Sequence, residues 1–100
     1  MDIRIIKTPS PGTLDIIKHR MGTSTNKELR GIDAVGLLQG KMIEMICAAD
    51  IAEKTADVTV SDLRGNCPNN MIMVGIFGDT SSVESAIQEI KQTMREGTDS

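Results

Sequence analysis

A chain of 100 residues, 39% hydrophobic and 25% charged, has room for one compact domain and no second. Its formal charge of −3 and lone aromatic, Phe77, leave neither the basic surface nor the stacking platform that single-stranded nucleic acid requires. The longest apolar run, Met71 to Phe77, is far short of the ~20 residues that span a bilayer, and Asp2, Arg4, Pro9 and Pro11 stand where a signal peptide needs an apolar segment. A cytoplasmic, reducing setting is therefore expected, in which Cys47 and Cys67 have no reason to pair.

Ile3-Arg4-Ile5-Ile6 predicts a short strand that stops before Pro9-Ser10-Pro11-Gly12. The β-branched content of Leu14-Asp15-Ile16-Ile17-Lys18-His19 predicts a second strand, followed by a polar loop over Gly22 to Asn26 and at most one helical turn over Lys27 to Arg30. Ala34 to Leu38 has the pattern of a buried strand running through Gln39-Gly40 into a helix. Met42, Met45, Ile46, Ala49, Ala52 and Ala56 recur at helical spacing along one face. Ile43, Cys47 and Ile51 widen that stripe, so this helix is expected to be covered on more than one side. Val58-Thr59-Val60 and Met71 to Phe77 predict a hairpin around a turn-rich loop from Arg64 to Asn70. A final helix follows, with Ser81-x-x-Glu84 as its capping box, Val83, Ala86, Ile87, Ile90 and Met94 on one face, and Gly97 at its end. The chain has no internal repeat. The predicted class is α+β: a ferredoxin-like antiparallel sheet with two long helices on one face. The expected division is an N-terminal strand and Pro/Gly turn over residues 1–12, then a single domain over 13–100.

The stretch from Val35 to Val58, with Ala48-Ala49-Asp50 in the helix and Lys54-Thr55-Ala56-Asp57-Val58 at its end, resembles the bacterial microcompartment shell domain. Gly78-Asp79-x-x-x-Val83 is similar to that family's entry to its second helix, and the match runs from Ala34 to Lys91. The usual domain carries a further strand and short helix after that helix, whereas here they are expected at the front, over Thr13 to Arg30. Arg4-Ile5-Ile6, Pro11-Gly12 and Thr13-Leu14 resemble the circularly permuted ethanolamine- and propanediol-utilisation subfamily. The resemblance implies a homohexameric tile that meets other shell proteins around encapsulated enzymes, redox enzymes among them. Lys54 matches the family's lysine at the edge between hexamers, and Arg20 stands near the position of its edge arginine. A small domain with a helix apolar around much of its circumference would finish its burial through such subunit contacts.

Arg64-Gly65-Asn66-Cys67-Pro68-Asn69-Asn70 corresponds to the segment that surrounds the family's central pore. On a six-fold loop one thiol per chain becomes a ring of thiols, and a cubane iron–sulfur cluster needs typically four. Gly65 permits close approach of backbones at the axis, Pro68 fixes the chain after the thiol, and Arg64 can offset thiolate charge. The Gly-Asn-Cys-Pro loop resembles that of the glycyl-radical propanediol-type shell proteins, which implies an iron–sulfur cluster, [4Fe–4S], shared between subunits at Cys67 and lost on aerobic purification. Asn66, Asn69 and Asn70 equally suit a passive metabolite pore without metal. The β/α order alone also fits a ferredoxin-like regulatory domain that binds a small ligand. Cys47, among helix apolar residues, is expected to be packing. No nucleophile–base pair, phosphate loop or catalytic carboxylate pair stands in the sequence, so no enzymatic activity is expected.

Overall fold

The computed structural model describes residues 1–21, 29, 32–65 and 71–95. Along these residues the elements are β1 (Asp2–Lys7), α1 (Pro11–Arg20), β2 (Ala34–Lys41), α2 (Met42–Thr55), β3 (Thr59–Leu63), β4 (Met71–Gly78) and α3 (Thr80–Arg95). The strands form one antiparallel sheet in the order β1-β2-β4-β3. The α+β class and the two long helices on one face are as the sequence predicts. β1 pairs with β2 along its whole length, from Asp2 opposite Gln39 to Lys7 opposite Ala34, so the N-terminal strand belongs to this same sheet.

Period-two alternation along the inner strands divides the core in two. Ala34, Leu38, Val74 and Ile76 face α2 and α3, where Met45, Ala48, Ala52, Val83, Ala86, Ile87 and Ile90 complete one buried cluster. Val35, Phe77 and Leu63 face the other way and pack with Ile17, Met21 and Leu29. β2 and β4 are thus lined with apolar residues on both faces, which explains why their sequences run nearly unbroken in apolar side chains. Gly36 allows α3 to settle close to β2, since a Cβ there would stand 3.1 Å from Ile87 Cδ1 and 3.3 Å from Val83 Cγ1. The whole is a plate, with principal extents of 37 × 32 × 21 Å.

Three expectations are corrected. Residues 14–19 are helix, not strand: α1 runs from Pro11 to Arg20 and buries Ile17 and Met21, with Leu14 partly buried beside them. Ser10 caps it by accepting the Thr13 N–H (3.3 Å), Pro11 occupies the first turn, and Lys18, His19 and Arg20 lie in the last, against the negative pole of the helix dipole. These local signals and the three-to-four-residue spacing of Leu14, Ile17 and Met21 outweigh the modest strand preference of two isoleucines. Consequently the strand and helix expected within Thr13 to Arg30 are β1 and α1 themselves. The second correction concerns α2, whose buried residues are Met45, Ala48, Ile51 and Ala52; Met42 and Ile46, placed on the covered face by spacing alone, are 48% and 62% exposed. The third moves the cap of α3 from Ser81 to Asp79, whose Oδ1 accepts from the Ser82 N–H (2.7 Å) and the Ser81 hydroxyl (3.1 Å). The helical turn expected over Lys27 to Arg30, Leu29 apart, and the cap at Gly97 lie outside the described residues.

Candidate functional site

The register sets the two ends of the plate. Lys41 stands opposite Met71, and Gln39 and Leu63 both stand opposite Met73, so β2 and β3 finish at the same end from which β4 starts. Here the chain leaves β3 after Leu63 and re-enters the sheet at Met71. Ala34 opposite Gly78 and Thr59 opposite Phe77 mark the far end.

Arg64 and Gly65 form the described stem of the loop, both exposed. Asn66, Cys67, Pro68, Asn69 and Asn70, expected to line a pore and to supply the thiol, lie outside the described residues. The stem is strapped to α1: the Arg64 N–H donates to the Arg20 carbonyl (2.7 Å), and Arg20 Nη1 donates back to the Arg64 carbonyl (3.5 Å). The C-terminal turn of α1 thereby supplies both a backbone acceptor and a guanidinium donor to the residue that opens the loop. Sequence reasoning missed this support because it took α1 for a strand; the Ser10-Pro11 start and the Lys18-His19-Arg20 end were the signals that could have found it.

Between α1 and the sheet, beside this stem, lies an apolar cleft of ≈ 390 Å³ with Ile17, Leu37, Leu63 and Met73 in its walls and Arg20 and Arg64 at its rim. It exists because α1 is only 10 residues long and covers the β3 side of that sheet face, leaving Leu37, Gln39 and Met73 half-exposed. No sequence pattern announced this cleft.

At the other end of α2, Lys54 is exposed in the last turn and pairs with Asp50 at 2.8 Å. The hydrogen bond that the Lys54 ammonium donates to Asp50, reinforced by the carboxylate's charge, raises Lys54 above its usual pKa. Since α2 starts next to the loop end and returns over the sheet toward β3, Lys54 sits roughly 18 Å along the helix from its start. Arg20 thus stands beside the loop stem and Lys54 at the far end of α2. His19 is exposed on α1, its Nδ1 2.8 Å from the Asp15 carbonyl oxygen. Cys47 is half-buried on α2 and, like the rest of the described residues, belongs to no cluster of three or more metal-ligating side chains. No described helix is long and apolar enough to cross a membrane.

Comparison with known proteins decides the family. The profile of the BMC domain, the bacterial microcompartment shell domain, matches residues 34–99. This chain belongs to the BMC domain family. The GrpU microcompartment shell protein of Clostridiales bacterium 1_7_47FAA is 49% identical, with a TM-score of 0.74 over 97% of this chain and 95% of that one. The GrpU shell protein of Pectobacterium wasabiae is 32% identical, with a TM-score of 0.70 over 90% of this chain and 99% of that one. The fused permuted hexameric shell protein MSM0275 of the RMM microcompartment shares the fold, at 21% identity and a TM-score of 0.65 over 92% of this chain and 44% of that one. No curated protein matches the chain. The profile begins at Ala34, so β1 and α1 precede the matched region, in keeping with a BMC domain whose strand and short helix have moved to the front. The protein is a structural microcompartment shell protein.

Proposed function

We infer that the chain is a tile of a homohexameric shell layer whose loop, residues 64–70, surrounds the six-fold axis and holds an iron–sulfur cluster through Cys67. One observation supports the tile: the loop stem at Arg64 and Gly65 and the Lys54 end of α2 lie at opposite ends of the sheet, an arrangement that suits a centre and a rim. The short extent of 21 Å would then be the thickness of the layer. At the rim Lys54 would reach the neighbouring hexamer, held along the helix by Asp50. Other shell proteins would join at the same edges.

At the centre, Cys67 is one thiol per chain, and six-fold repetition supplies more than the typical four ligands of a cubane cluster. Such a group, when bound, supplies one-electron transfer, and so a route for electrons between the compartment's redox enzymes and the cytoplasm that admits no metabolite. The residues around it have definable roles. Arg64, strapped to α1, would bring a guanidinium to each side of the thiol ring and favour thiolate over thiol. Gly65, with nothing among the described residues within 4 Å of the place its Cβ would take, would leave the approach to the axis open.

Anaerobic reconstitution with iron and sulfide tests the cluster. The wild-type protein should turn brown, bind iron and sulfide in equal amounts and give an electron paramagnetic resonance signal when reduced; Cys67→Ser should do none of these at unchanged oligomeric mass. Colourless, iron-free wild type would leave a shell tile with an Asn-lined passive pore.

A further inference from the structure

The sheet face that carries α1 is covered only on its β3 side, and the uncovered part has a definite chemistry. Alternation along the strands brings Asp2 and Arg4 of β1, Leu37 and Gln39 of β2, Met73 of β4 and Leu63 of β3 to this face. The register sets them in rows: Asp2 opposite Gln39, Gln39 opposite Met73, Met73 opposite Leu63, and Arg4 opposite Leu37. Beside α1 these rows floor the cleft of ≈ 390 Å³. A shallower hollow of ≈ 210 Å³, with Asp2 and Arg4 in its wall, continues it toward β1. Leu37, Gln39 and Met73 line both, so the two form one groove running across the strands from β1 to the end of α1.

The two ends of the groove differ in charge. At the β1 end Asp2 and Arg4 stand together, an acid and a base. At the α1 end Arg20 and Arg64 have no carboxylate partner among the described residues. A guanidinium carries five N–H donors; Arg20 uses one, on the Arg64 carbonyl at 3.5 Å, and the Arg64 side chain makes no bond among the described residues. Two uncommitted guanidiniums at one end of an apolar floor suit an anion with an apolar body, and their planar forks match a carboxylate. A cationic or neutral amphiphile would leave the guanidiniums unanswered, and a bare inorganic anion would leave the floor wet. The cleft is of the size, roughly 300–1,000 Å³, that takes small molecules.

We propose that this groove binds an aliphatic carboxylate, one per chain, with its carboxylate at Arg20 and Arg64 and its tail along Leu63, Met73 and Leu37 toward β1. The site is complete within one chain, so it stands or falls apart from the tile and the cluster. Because Arg64 opens the loop and Arg20 straps it to α1, an acid bound here rests against the loop stem.

Isothermal titration calorimetry of the full chain with straight-chain carboxylates, together with methionine-methyl NMR, tests the site. Octanoate should bind once per chain and shift the Met73 methyl resonance. From butanoate to octanoate each added methylene should tighten Kd by about fourfold. Octylammonium, of equal length and opposite charge, should bind about tenfold or more weakly than octanoate, and Arg20→Gln combined with Arg64→Gln should weaken octanoate by a similar factor. Both arginines are exposed, so the double variant should melt with the wild type. Octylammonium bound as tightly as octanoate would show an apolar patch indifferent to charge, and overturns the proposal without any variant. Octanoate binding unchanged in the double variant overturns it too. So does a wild-type protein that binds none of the carboxylates, whatever its mass in solution, since the groove is then closed by a neighbouring copy or by the chain itself.

Discussion

Single residues carry several of the fold's sharper constraints. Phe77, the lone aromatic, is 2% exposed and lies across Gly75: a Cβ on that glycine would stand 2.7 Å from the ring's Cζ and 3.1 Å from Leu63 Cδ1. Gly75→Ala would have to push a buried ring out of a packed layer, and should cost about 1–3 kcal/mol in denaturant unfolding at fixed protein concentration. Thr8 carries a positive φ of 49°, uncommon for a β-branched residue, because the turn after β1 brings its N–H to the Asp33 carbonyl at 2.7 Å. Thr8→Gly relieves that conformation at the expense of a looser unfolded chain, and should stabilise the protein by roughly 0.5–1 kcal/mol. Asp79 caps α3, and the Ser82 backbone N–H, followed by the Ser82 and Ser81 hydroxyls, holds its carboxyl below the ordinary value of 3.8. A carboxyl with a depressed folded pKa stabilises above its unfolded pKa and loses that contribution as pH falls through the folded one. Thermal melts should therefore show Asp79→Ala less stable than wild type at neutral pH, with the gap narrowing below pH 3.8. The sequence pointed at Ser81 here because Ser-x-x-Glu is the commoner signature; Asp79 is equally a capping residue, and the two start signals differ by two positions.

Among the elements, α1 separates what the sequence reveals from what it hides. β2, β4 and α3 were legible because each couples a long apolar pattern to one period: alternation in the strands, and Val83, Ala86, Ile87 and Ile90 in the helix. α1 is 10 residues long, and its Thr13, Ile16 and Ile17 mimic a strand, so the period is sampled too briefly to decide. The helical register makes a distinct claim, since it buries Ile17 at 6% exposure and leaves Asp15 in solvent. Ile17→Ala should cost about 2–5 kcal/mol in equilibrium unfolding, whereas Asp15→Ala should stay within about 0.5 kcal/mol. Equal effects would contradict the helix. For α2 the difficulty is of another kind. Its sequence is apolar on nearly every side, so periodicity shows that the helix is covered without showing by what. Met45, Ala48 and Ala52 meet the sheet and α3, while Ile43 and Ile46 stand exposed. The cleft was invisible for a related reason, being the part of a sheet face that a short helix fails to reach.

At the scale of the whole molecule, family and architecture were legible because Ala48-Ala49-Asp50, Lys54-x-Ala-Asp-Val and Gly78-Asp79 are spaced motifs on elements with clear periods. The candidate site was legible as composition only: the loop's residues could be named from the sequence, but its support by Arg20 follows from where α1 ends. The plate form, with the loop at one end and Lys54 at the other, leads to a prediction about tiling. Lys54→Asp replaces the rim cation by a second carboxylate beside Asp50, so extended sheets or tubes seen by electron microscopy for wild type should be lost while the mass in solution stays hexameric. Sheets formed equally well by Lys54→Asp would contradict the rim assignment. The central claim joins six copies of a 10.8 kDa chain to the one cysteine of its loop. Native mass spectrometry of anaerobically reconstituted protein tests it most directly: the account predicts a six-chain species carrying one iron–sulfur cluster, with the cluster mass absent from Cys67→Ser hexamers. A single-chain species, or a six-chain wild type with no added iron and sulfur, would contradict it.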